Sequence, residues 1–260
     1  MIENLEPRTM CTSTVRVTTT DNVIRIVGNR NTNDLSVGDI ESGISNSFLL
    51  SIESRNRSTR FEVDGVLQRR RSLLLNSTGK ALEVSLVGGQ DTLVVGQLSN
   101  VTALRIDLGS GDDATDFSEE LPTTALTTGD GDDLATFQGG TTTRGNLSVL
   151  ANSGNDSIRF QSQDVFGVET GVNIGGKLQV VKTSGVLELY SKGLRVINTV
   201  AISTAAGDDR IKLIDAIFRR STSVISGDGR DTIDFSASTF RQTPMLDVDP
   251  DYDTVYYMRQ

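Results

Sequence analysis

Residues Leu104–Phe117 read LRIDLGSGDDATDF. Leu104, Ile106 and Leu108 alternate with Arg105 and Asp107, the run Gly109 to Asp113 is rich in turn formers, and Thr115 and Phe117 resume the alternation. An apolar period of two predicts a strand that buries one face, and Gly/Asp clusters predict turns, so the stretch predicts strand, turn, strand. The same template recurs around Asp91, Asp133, Asp156, Asp209 and Asp231.

The copies align in columns. Nine residues before each Asp stand Leu82, Leu104, Thr124, Leu147, Val200 and Thr222, and seven before stand Val84, Ile106, Leu126, Val149, Ile202 and Val224. Two before is always glycine: Gly89, Gly111, Gly131, Gly154, Gly207 and Gly229. Four after come Val95, Phe117, Phe137, Phe160, Leu213 and Phe235. Successive Asp are separated by 22, 20, 23, 53 and 22 residues. The long gap holds a degenerate copy in which Leu178, Val180, Gly185 and Leu189 fit and Leu187 replaces the Asp.

A period near 22 that joins short strands with no helix-period segment predicts a solenoid, because a single coil cannot bury its apolar side and must stack on a copy. The expected fold is all-β, a right-handed parallel β-helix or β-solenoid with coils of 20–23 residues. It is expected to have roughly ten coils. The expected organisation is an N-terminal segment 1–13, a single solenoid 14–240 and an acidic tail 241–260. Within the solenoid, 14–80 form irregular coils and 81–240 the Gly-x-Asp coils, with 161–172 as a loop inserted where the phase slips. Val15, Val17, Ile24 and Ile26 read as a first coil without its acidic turn, placed to cap the stack.

Composition agrees. Aromatic residues make up 5% and Trp is absent, which suits a thin core. Asp is abundant relative to Glu, which favours turns over helices because Asp bonds its local backbone. A net charge of -9 argues against a nucleic-acid partner, which requires clustered Lys and Arg; Arg69 to Arg71 is the densest basic run and reads as a solvated turn. The single cysteine, Cys11, forms no internal disulfide, and no apolar run is long enough to span a membrane.

The chemistry concentrates in the Gly-x-Asp column. Parallel stacking would place equivalent residues about 4.8 Å apart, so Asp91, Asp113, Asp133 and Asp156 form one acidic row and Asp209 with Asp231 another. Unpaired carboxylates at that spacing repel by roughly 3 to 4 kcal/mol per pair at an effective dielectric of 20. A hard divalent cation would offset this, since Ca2+ takes carboxylate and turn-carbonyl oxygens. Asp112, Asp132 and Asp208 supply second carboxylates to three turns. The alternative is that each Asp caps its own turn through a local hydrogen bond, with no metal.

GSGDDATDF, GDGDDLATF, SGNDSIRF and GDGRDTIDF resemble the glycine-aspartate repeats of RTX-type calcium-binding proteins, whose tandem nonapeptides form a parallel β-roll with calcium between turns. Here the unit recurs at 20 to 23 residues, and Gln90, Ser153 and Ala206 interrupt the glycine-acid run. The resemblance implies Ca2+ held by Asp91, Asp113, Asp133, Asp156, Asp209 and Asp231 with Asp112, Asp132 and Asp208. Leu5 to Arg8 read LEPR, similar to a short box near the start of large exported or surface proteins of some bacteria; there two leucines follow one variable residue, and here Met10 and Cys11 follow Thr9. The expected role is a noncatalytic module, extracellular or on the cell surface, structural or adhesive, meeting a surface polymer or another surface protein.

An enzyme finds less support. The chain has no His, which removes the commonest general base and most zinc sites. Carboxylate chemistry of the kind used by polysaccharide lyases and hydrolases on β-helices is the alternative, with Arg105, Asp107, Asp116 and Asp234 beside the turns as candidates. Asp247, Asp249, Asp251 and Asp253 alternate in the expected tail, but lack the central glycine and distal glutamate of a calcium loop and read as a disordered acidic segment.

Overall fold

Because alternation leaves every strand with one apolar side, strands this short gain stability only by lining a shared interior. The computed structural model describes residues 13–41, 48–56, 59–165 and 167–257; these are all-β, without a helix. The LEPR residues and Cys11 lie outside the described residues.

Two long sheets carry the template. In the 12-stranded sheet, Val23–Val27, Ala81–Ser85, Ala103–Asp107, Thr123–Thr127, Leu147–Ala151, Leu178–Lys182, Val200–Ser203, Thr222–Ile225 and Met245–Asp247 lie side by side in that order and parallel. In the 11-stranded sheet, Asp34–Glu41, Thr92–Val95, Ala114–Phe117, Leu134–Phe137, Asp156–Phe160, Leu187–Lys192, Arg210–Ile214, Thr232–Asp234 and Thr254–Tyr256 do the same. Along the chain the strands of the two sheets alternate, so each neighbour within a sheet is one pass further on in sequence: a solenoid-like arrangement.

The register is the one read from the columns. Val84, Ile106, Leu126, Val149, Ile202 and Val224 line up, with Val180 of the degenerate copy in its place, and all are buried. Phe117, Phe137 and Phe160 stack with ring centroids 4.5 and 5.0 Å apart. The glycine column has two causes. Gly131 has φ of 139°, and a Cβ there would lie 2.1 Å from the carbonyl oxygen of Gly111 in the preceding coil. Any side chain would therefore meet both a disfavoured backbone conformation and the neighbouring backbone.

Three features differ from the expectation. First, each later coil has a third side: Glu120–Leu121, Thr142–Thr143, Asn173–Ile174, Arg195–Val196, Ile217–Phe218 and Thr239–Phe240 form a parallel 6-stranded sheet. Two-residue strands contribute one inward side chain each and show no alternation to read. Second, the segment read as an acidic tail makes a further coil: Leu246 pairs with Val224 and Val255 with Ile233. Its inward apolar residues are spaced as in the other copies, and the acidic residues between them hid the pattern.

Third, residues 14–80 are only partly coils. Val23–Val27 and Asp34–Glu41 stack in parallel on the next coil, but Ser13–Thr19 runs antiparallel to Val23–Val27. Phe48–Ser54 runs antiparallel to both Asp34–Glu41 and Ser72–Asn76. An end coil has no further copy to pair with its exposed edge, and antiparallel strands supply partners from nearby chain. The insertion at 161–172 is a hairpin, Gln163–Val165 antiparallel to Val168–Thr170.

Candidate functional site

The Asp column runs along the interior. Asp91, Asp113, Asp133, Asp156, Asp209 and Asp231 are all 1–2% exposed. They lead the strands of the second sheet with the same parity as the buried residues two and four positions on, as in Asp91, Leu93 and Val95. That shared parity was the signal in the sequence that the carboxylates face inward.

Each carboxylate accepts a backbone N–H from the coil before it. The Asp91 N–H donates to Asp113 Oδ1 at 2.7 Å, that of Asp113 to Asp133 at 2.9 Å, that of Asp133 to Asp156 at 3.0 Å and that of Asp209 to Asp231 at 2.8 Å. Asn33 begins the ladder, its N–H donating to Asp91 Oδ1, and Asp253 ends it, accepting from the Asp231 N–H at 2.9 Å. Both are members that sequence reading left out: Asn33 follows Ile24 and Ile26 by nine and seven residues, and Asp253 follows Leu246 by seven. Capping therefore runs between coils; the side-chain oxygen stands in for a strand carbonyl where the backbone turns.

The second oxygens are different. Oδ2 of Asp91, Asp113, Asp133, Asp209 and Asp231 are buried without a hydrogen-bond partner. Thr204 and Ser226 hold hydroxyls near Asp209 and Asp231, but Thr204 Oγ1 donates to the Ser226 carbonyl and Ser226 Oγ to Asp253 Oδ2. Burial pushes Asp91, Asp133 and Asp231 up to about 6 and Asp113 up to about 7, against a partial opposing effect of the accepted N–H bonds. For Asp113 the neighbouring Asp91, Asp133 and Asp112 push the same way as burial. Desolvation of a charged group outweighs one hydrogen bond.

At the degenerate copy the pattern is broken by an internal cation. Leu187 is fully buried in the Asp column, and its N–H donates to Asp209 Oδ1 at 2.6 Å. Five residues earlier Lys182 points inward, where other coils carry Leu86, Leu108, Thr128, Ala151, Thr204 and Ser226. Its ammonium contacts Asp156 Oδ2 and donates to the Asn152 carbonyl at 2.9 Å; both charged side chains are 0% exposed. Asp156 is nevertheless raised, because burial outweighs the attraction of Lys182.

A second ladder runs outside. The Asp132 N–H donates to Asp112 Oδ1 at 3.0 Å, the Asn155 N–H to Asp132 Oδ1 at 2.7 Å and the Arg230 N–H to Asp208 Oδ1 at 3.0 Å. Asp112, Asp132 and Asp208 thus tie coils in water in the opposite sense, each accepting the N–H of the following coil.

Among the described residues no group of three or more Asp, Glu, Cys or His is disposed to hold a metal ion. Ca2+ takes six to eight oxygens; the interior row offers one unpartnered oxygen at each of Asp91, Asp113, Asp133, Asp209 and Asp231, while the other oxygen of each accepts an N–H. The enzyme candidates are also scattered. Arg105 and Asp107 lie on the first sheet, where Arg105 joins Glu83 at 3.2 Å and Glu83 joins Arg25 at 2.8 Å. Asp116 and Asp234 lie on the second sheet in strands several coils apart, Asp116 accepting from Gln138 and Asp234 from the Ser236 N–H.

No family model, curated protein or solved structure matches the chain.

Proposed function

We propose that the chain is a noncatalytic structural module, a right-handed β-solenoid deployed outside the cell or on its surface, whose turns are tied by a carboxylate ladder without calcium. The carrying observation is the use of one Asp oxygen as acceptor for the N–H of the preceding coil, repeated along the stack and interrupted at Leu187, where the Asp156 N–H donates to the Val186 carbonyl instead. Right-handed crossing is the sense that twisted strands favour. The surface location and an adhesive role toward a surface polymer or another surface protein rest on the RTX-like turns and the LEPR residues. The outer faces suit it, with ion pairs such as Arg25–Glu83 and Arg105–Glu83 along one sheet.

Thermal unfolding followed by circular dichroism, with excess chelator and then with millimolar Ca2+, tests the ladder against the metal. The same melting temperature in both supports the metal-free ladder. A rise with Ca2+ that Asp133→Asn diminishes would restore calcium as the element between coils.

A further inference from the structure

We propose that Lys182 and Asp156 condense into an intramolecular amide, a bond from Nζ to Cγ that fastens the coil containing Leu178–Lys182 to the one before it.

Three observations lead there. The two groups are in direct contact, and neither side chain has any exposed surface. The Lys182 head is held in place by the Asn152 carbonyl and Asp156 by the Asp133 N–H on its other oxygen, so the pair has one geometry rather than many. The pair lies in the shared interior, where Ile158, Val180, Leu187 and Leu189 of the same two coils are fully buried.

In such surroundings an ion pair gains little from remaining charged, and a proton passing from the ammonium to the carboxylate leaves an amine against a carboxylic acid. The burial that raises Asp156 in spite of its partner favours that neutral form. The amine lone pair then attacks Cγ, a C–N bond forms and the carbonyl becomes tetrahedral. The proton lost by nitrogen passes to the hydroxyl on the tetrahedral carbon, which leaves as water. Amine and acid become amide and water, with no oxidant or cofactor. Held reactants of this kind behave as if at about 10⁵ M or more, which offsets the poor reactivity of an unactivated acid.

Intact mass of the denatured full chain, followed by tryptic digestion, tests this. The expected result is a chain lighter by one water, with the peptide 145–159 joined to 178–192, because an acylated Lys182 is not cleaved. Full mass after prolonged incubation, or a lost water with those peptides recovered separately, overturns the proposal and leaves an ordinary ion pair. Lys182→Arg should show full mass; if it is still lighter, the water was lost elsewhere and the proposal fails.

Discussion

Residues 81–257 and residues 13–76 solve one problem in two ways. In the first region every strand of the two long sheets has a copy of itself on each inner side, and one set of contacts, glycine over glycine and Asp over N–H, is repeated coil after coil. In the second the same kind of apolar alternation ends in antiparallel pairings between unlike sequences, such as Phe48–Ser54 with Ser72–Asn76. Repetition makes a contact available only where there is a neighbour of the same shape, so the end of a stack has to be closed by a different chain geometry. A local error inside the stack disturbs two neighbours as well as itself, whereas one in the cap stays local.

The largest expected effect breaks that comparison most directly. Gly131→Ala places a Cβ against the Gly111 carbonyl at a positive φ, and Gly65, in the cap, also has positive φ but nothing within 4 Å of a Cβ. Gly131→Ala should cost about 3 kcal/mol or more, or prevent folding, whereas Gly65→Ala should cost about 1 kcal/mol. Denaturant unfolding of both variants checks this, and equal costs would mean that the coils are not in backbone contact at the glycine column.

Next in size is the response to pH, which the stack should dominate. The interior carboxyls titrate near 3.8 when unfolded and at about 6 to 7 when folded. The folded state therefore binds more protons between those values. The stability this contributes is fully present below about pH 4 and is lost as pH rises through 6 to 7. Glu83, lowered by its Arg25 hydrogen bond, acts oppositely and loses its contribution only in stronger acid. Melting temperature should therefore be several degrees higher at pH 5 than at pH 8. Hydrogen exchange should place the gain in residues 81–257; a flat or inverse profile would remove the buried-carboxyl account.

The smallest effect separates the two ladders. Asp113→Asn removes one interior titrating group, so the difference in stability between pH 5 and pH 8 should shrink while the N–H acceptor is kept. Asp112→Asn, one residue away on the outside, should change stability by about 0.5 kcal/mol or less at both pH values. If the two variants behave alike, the parity that sends one inward and the other outward is wrong.

The columns of the repeat were legible because they are local. Val84, Ile106 and Leu126 recur at one phase, and a glycine stands two residues before every Asp, so period, strands and turns follow from spacing alone. Even the buried place of Leu187 follows from counting. Other features depended on how each coil closes. A third side of two-residue strands leaves no alternation, and the antiparallel cap is chosen by what an end coil lacks. The meeting of Lys182 with Asp156 arises from stacking one coil on the next. Sequence period determines which residues are equivalent. Only the packed coils decide what environment those equivalent residues share, because burial and partner are properties of the neighbouring turn and not of the residue's own.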